Sequence, residues 1–155
     1  MLAACCWLLD INYTRCEMGK IIEKIKIVNI EDEALAKRGV ITPDQVRSIE
    51  TEVLIDTGAT FLCLRKSLIE ELQLTPGEQK TVRTSNGAVA RTFYSPVKIY
   101  LRDRYAVVYV SELPEDCSNL LGQIPLQSMD WVIDTRNEKL IGNPEHGGEW
   151  VLEAY

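Results

Sequence analysis

Apolar and polar positions along this chain change over in short stretches rather than in long helical stripes. Residues 20–28 alternate in their second half, with Ile25 and Ile27 opposite Lys24 and Lys26, which predicts a half-exposed strand. Residues 31–38 are rich in helix formers and stop at Gly39, the pattern of a short helix closed by a glycine cap. Thr42-Pro43-Asp44 predicts a turn, and residues 46–55 a strand. An apolar strand is expected over residues 61–64. Ser67-Leu68-Ile69-Glu70 then reads as a capping box opening a helix through Leu72, which stops before Pro76-Gly77. Strand-like residues 80–84 and 88–93 flank Ser85-Asn86-Gly87, and Asn-Gly in that setting is a strong hairpin signal. A second pair, 97–101 and 105–110, turns at Arg102-Asp103-Arg104. Asn119-Leu120-Leu121-Gly122 precedes a short helix over 124–129 with Pro125 in its first turn. Residues 131–134 and 140–141 frame one more turn, Gly142-Asn143-Pro144 breaks the chain, and 150–155 predicts a terminal strand. Many short strands, turn signals every dozen or so residues and a few short helices predict a mainly β fold, a closed or sandwich-like barrel.

One strand has an unusual end. In Val53-Leu54-Ile55-Asp56-Thr57-Gly58-Ala59-Thr60, three apolar residues stop on a carboxylate, a hydroxyl residue and a glycine. A buried strand that delivers an Asp to a sharp loop aims that carboxylate. Gly58 lets the backbone take φ > 0 or approach another group closely, and the Thr57 and Thr60 hydroxyls can bond the loop from within. Read without function, the stretch is a strand followed by a turn, because Asp, Thr and Gly are common turn residues.

Composition narrows the chemistry. The chain has 155 residues, which suits one domain with a modest core. Residues 1–17 show no period and hold Cys5, Cys6 and Cys16. Met18 suits the start of the domain, giving an extension over 1–17 and a single domain over 18–155. Leu2-Ala3-Ala4-Cys5 looks superficially like a lipoprotein cleavage site but lacks the basic start and apolar stretch such a site needs. A net charge of −6 with no basic run speaks against a nucleic-acid partner, and no apolar run reaches membrane-spanning length. The five cysteines include no Cys-x-x-Cys and the only histidine is His146, so neither a metal site nor a bound cofactor is expected. The same counts favour a reducing, cytoplasmic setting. A lone histidine beside two glycines also argues against Ser/His or Cys/His nucleophilic catalysis. Carboxylates remain.

From about Met18 to Pro144 the chain resembles the retropepsin-like (clan AA) aspartic proteases of bacterial type. Three features carry the resemblance in order: the strand ending in Asp56-Thr57-Gly58-Ala59-Thr60, the hairpin tipped by Asn86-Gly87, and Leu120-Leu121-Gly122 before a short helix. The resemblance implies a retropepsin-like acid protease barrel and hydrolysis of peptide bonds by two carboxylates that share a proton around a water. Asp56 would be the catalytic group. Thr57 would bond across a two-fold axis, Gly58 would pack against the carboxylate, and Ala59, which has no hydroxyl to offer it, would continue the loop with Thr60. Leu121 and Gly122 would pack behind the loop. Thr84, Ser85, Asn86, Gly87 and Ala88 would form a flap over an extended peptide or protein substrate.

Only one Asp-Thr-Gly is present. Asp134-Thr135 is followed by Arg136 where glycine is required, and its surroundings suit a surface turn. The resemblance therefore implies one lobe per chain and a homodimer with one Asp56 from each copy. Actin-type phosphate loops and haloacid-dehalogenase-type phosphatases fit poorly, for want of further glycine-rich loops and of a second Asp at Gly58. The alternative is a catalytically silent dimeric peptide-binding module on the same fold. A further possibility is that residues 1–17 act as a propeptide that occludes the cleft.

Overall fold

A computed structural model describes residues 20–84 and 87–152. The expected extension with its three cysteines, Ser85 and Asn86 of the expected flap, and the last three positions of the expected terminal strand lie outside the described residues.

Strand β1 (Ile22–Asn29) buries Ile25 and Ile27 and exposes Lys24 and Lys26, as its alternation predicts. Asn29 ends it and caps α1 (Ile30–Lys37), its side-chain oxygen accepting the N–H groups of Glu31 and Asp32 at 3.0 and 3.2 Å. Gly39 closes that helix at φ +74°. A one-turn 3-10 segment, Pro43–Gln45, leads into β2 (Ser48–Ile55), which pairs antiparallel with β1.

The remaining strands of the main sheet are β3 (Leu62–Arg65), β4 (Pro76–Thr84), β5 (Gly87–Leu101), β6 (Arg104–Leu113) and β7 (Leu120–Leu121). Their order is β1-β2-β7-β3-β6-β5-β4, and β5 pairs back onto β1 through Lys26–Tyr100 to Asn29–Val97. The first six therefore close into a barrel, and β4 projects beyond it as the outer arm of a hairpin with β5. Closure removes the free edges that an open sheet would expose. Inside lies the main core, with Ile27, Leu62, Leu64, Val97, Ile99, Leu101 and Val110 fully buried. Helix α3 (Gln123–Ser128) and the hairpin β8 (Trp131–Asp134)–β9 (Lys139–Gly142) cover one end.

Several local expectations change. Ser67 is not a helix cap: α2 (Lys66–Glu71) starts directly from β3, and the distant Glu115 carboxylate accepts the Ser67 N–H at 2.6 Å. The acceptor that the motif would supply locally comes instead from across the fold. The two strands expected over 88–93 and 97–101 are one strand, β5, whose pairing with β6 shifts between Tyr94 and Val97. That irregularity absorbs Pro96, which has no N–H to give a ladder. Residues 150–152 are not a strand. Trp150 instead packs edge-on against Tyr105, centroids 5.2 Å apart, and its indole N–H reaches the Ser128 carbonyl at 3.3 Å. Among the described residues no helix is long and apolar enough to cross a membrane.

Candidate active site

The loop that begins at Asp56 hangs from the end of β2 and is fastened on both sides. β7 lies between β2, which it joins in parallel, and β3, which it joins antiparallel. This short strand passes its hydrogen bonds into the loop: the Asp56 N–H donates to the Leu121 carbonyl at 3.0 Å. The chain then rises into α3, and its first N–H groups turn back onto the same loop. Gly122 donates to Phe61 O at 3.0 Å, Gln123 to Ala59 O at 2.8 Å and Ile124 to Thr60 O at 3.0 Å. Helix-start N–H groups have no partner within their own helix; here they hold three consecutive carbonyls of the loop.

That packing explains the glycine in Leu120-Leu121-Gly122. A Cβ on Gly122 would lie 2.5 Å from the Phe61 carbonyl oxygen and 2.6 Å from that of Ala59. Both are backbone atoms fixed by the bonds just described, so only glycine lets the two segments meet. Leu121 is fully buried beside them, and Ala59 is 1% exposed.

Asp56 is half-buried at the loop's start, and its Oδ1 accepts the Gly58 N–H at 2.8 Å. Among the described residues its carboxylate takes no other hydrogen bond, so Oδ2 is left for a ligand. Gly58 does not adopt a positive φ; its part is the N–H that orients the carboxylate. Thr57 and Thr60 are exposed, and among the described residues neither hydroxyl bonds the loop from within. The loop is held mainly by backbone hydrogen bonds, with the Asp56 carboxylate bonding the Gly58 N–H, and Thr57 is left exposed.

A small second cluster of Ala59, Cys63, Leu113, Cys117 and Leu120 lies beside the loop, and Val82 of β4 packs on it. The β4–β5 hairpin therefore leans over the Asp56 side of the barrel. Its tip pairs Thr84 with Gly87, and Thr84 Oγ1 donates to Gly87 O at 2.8 Å. Gly87, at φ +110°, opens β5 opposite Thr84. Ala88 is exposed in the next pair, opposite Arg83.

Asp134 sits elsewhere, in the β8–β9 turn. Its carboxylate accepts the N–H groups of Arg136 and Asn137 at 3.1 and 3.2 Å and the Asn137 side-chain amide at 2.7 Å. The Asn137 side chain and backbone N–H hold this carboxyl below the usual range. It is a turn residue.

One supporting residue has no place in the motif. Asn119 is 4% exposed; its Oδ1 accepts the Arg65 N–H at 2.9 Å and its carbonyl accepts the Leu54 N–H at 2.8 Å. It ties β3 and β2 to the start of β7. The signal for it was a polar residue directly before a buried Leu-Leu pair, which alone does not separate a clamp from a loop residue.

A closed barrel with an Asp-Thr-Gly loop braced by a Leu-Leu-Gly strand end defines an acid-protease lobe. The aspartyl protease family matches residues 43–123, a span that runs from the approach to β2 through the start of α3. The chain belongs to that family, with the retropepsin-like fold that its sequence resemblance implied. Among curated proteins none matches it.

Proposed function

We propose that the chain is an aspartic endopeptidase whose catalytic centre forms between two copies, each contributing Asp56. The carrying observation is a single braced Asp-Thr-Gly loop, with the one other Asp-Thr of the chain used up in a turn. Peptide hydrolysis at such a centre needs two carboxylates sharing one proton. The ionised one takes a proton from water as the water oxygen attacks the peptide carbonyl, and the protonated one donates to the carbonyl oxygen. Collapse of the tetrahedral species returns a proton to the departing amine. Close approach of the two carboxylates keeps one protonated, because both cannot ionise together.

The exposed Thr57 is available to bond across the two-fold axis, and Gly58 keeps each Asp56 oriented. The hairpin around Thr84, Ser85, Asn86, Gly87 and Ala88 serves as the flap over an extended peptide, which binds by strand addition and excludes water. We place the enzyme in the cytoplasm, in keeping with an odd cysteine count and no Cys-x-x-Cys in the sequence. Cleavage of a diverse peptide pool, compared between wild type and Asp56→Asn, tests this reading. Loss of all cleavage in the variant is expected. A wild-type protein that binds peptides but cuts none would instead favour a silent binding module.

A further inference from the structure

The flap hairpin carries an unbalanced pair of charges on the face that leans over the cleft. Val82 marks that face, since it packs on the cluster beside the Asp56 loop. Side chains two residues apart on a strand share a face, so Lys80 lies on it too. The register sets Lys80 directly opposite Arg91 and Val82 opposite Val89. Phe93, two residues beyond Arg91, shares the face as well. Lys80 Nζ stands 5.6 Å from the Phe93 ring centre, and Phe93 meets Phe61 of the active-site loop edge-on with centroids 5.3 Å apart. Lys80 thus sits over an aromatic floor that continues into the loop bearing Asp56, with Arg91 opposite it on the same face.

Like charges directly opposed across a strand pair repel, and nothing described relieves this pair. Neither Lys80 nor Arg91 has a carboxylate within ion-pairing distance among the described residues, and Arg91 Nε is shut off from solvent without a hydrogen-bond partner. Of the nearby acids, Glu112 accepts the Tyr94 hydroxyl and Glu115 accepts the Ser67 N–H. Glu78 lines the cavity of about 340 Å³ beside Lys80 but does not pair with it.

We propose that Lys80 and Arg91 form a subsite for an acidic side chain of the substrate, so that the enzyme prefers peptides carrying Glu or Asp at a distance from the bond cut. The proposal rests on the protease reading above. A carboxylate between the two cations cancels their repulsion and supplies the acceptor that Arg91 lacks, while its methylene stem lies on Phe93. Lys80 is four residues below Thr84, about 13 Å along the strand at ~3.3 Å per residue. An extended peptide advances at the same rise, which puts the acidic side chain about four residues from the scissile bond. In a two-fold dimer the subsite occurs at both ends of the cleft.

The test compares two peptides that differ only by Glu or Gln at that position, by kcat/KM for cleavage and by anisotropy of the labelled peptides on the non-cutting Asp56→Asn variant. Wild type is expected to favour the Glu peptide by about fivefold to tenfold at low salt, the scale of exposed charge contacts. The preference should shrink as salt rises. In Lys80→Gln/Arg91→Gln the Glu-to-Gln ratio should fall to about one, and in Lys80→Glu/Arg91→Glu it should fall below one. Equal handling of the two peptides by wild type, or a preference that survives the double substitution, overturns the proposal. If the wild type cuts neither peptide but Asp56→Asn binds the Glu peptide more tightly, the subsite stands and the protease reading falls.

Discussion

Gly122 bears the tightest single-residue constraint near the site. An added methyl there would press on two carbonyl oxygens, at 2.5 and 2.6 Å, that belong to the loop holding Asp56. Backbone atoms tied by hydrogen bonds cannot swing away as a flexible side chain can. Gly122→Ala should therefore cost about 3 kcal/mol of stability, read as a lower urea midpoint, and should depress cleavage even in the fraction still folded. A variant with wild-type stability and activity would show that the α3–loop contact is looser than described. Asp56, Gly58 and Gly122 were legible in the sequence because each is tied to a short-range pattern. Asn119 was not, since its partners Arg65 and Leu54 are far away in sequence and a lone polar residue carries no period.

At the scale of elements, the described segment up to Val151 is fastened by a polar knot built on buried Asp130 and Arg104. Asp130 is 9% exposed, and its carboxylate accepts from His146 Nδ1 at 2.6 Å, Asn143 Nδ2 at 3.0 Å and the Val151 N–H at 3.3 Å. Because an ionised carboxylate only accepts, Nδ1 carries the proton in this contact. Arg104, stacked on Trp131, donates to the carbonyls of Met129 and Asp130 at 2.8 and 2.7 Å and to that of Gly148 at 2.6 Å. Burial raises the Asp130 pKa, but the hydrogen bonds from His146, Asn143 and Val151 outweigh it and hold the carboxyl below its ordinary value. A depressed folded-state pKa contributes stability that is present above the unfolded value, near 3.9, and is lost as pH falls through the folded one. Asp130→Asn should thus lower stability at neutral pH by about 1–2 kcal/mol and flatten the decline below about pH 4. Urea midpoints followed from pH 7 to pH 2.5 check this; an unchanged acid slope would contradict it.

None of that knot could be read from pattern alone. Arg104 looked like a turn residue, and His146 stands between a proline and two glycines. The apolar strands, by contrast, were visible from alternation, and most errors in them were of extent. The strands expected over 88–93 and 97–101 run on as one, with Pro96 absorbed at an irregularity of β5. Ser67 looked like a cap because the motif reports local acceptors only, whereas Glu115 arrives from another part of the chain.

At the scale of the whole molecule, closure of β5 onto β1 makes one complete lobe and leaves one braced carboxylate. A single lobe holds half of the acid–base pair that peptide hydrolysis requires. The second half comes, in our account, from a second copy, with Asp56 from each chain brought together at the axis. Activity then belongs to the pair rather than to the chain, and should rise more steeply than linearly with protein concentration below the dimerisation midpoint. Mixing wild type with Asp56→Asn at fixed total concentration, after full subunit exchange, tests this most directly. If both carboxylates are needed, activity follows the square of the wild-type fraction, and an equal mixture keeps a quarter of the starting rate. A fall in simple proportion to the wild-type fraction would mean that each chain acts by itself, and would contradict the account.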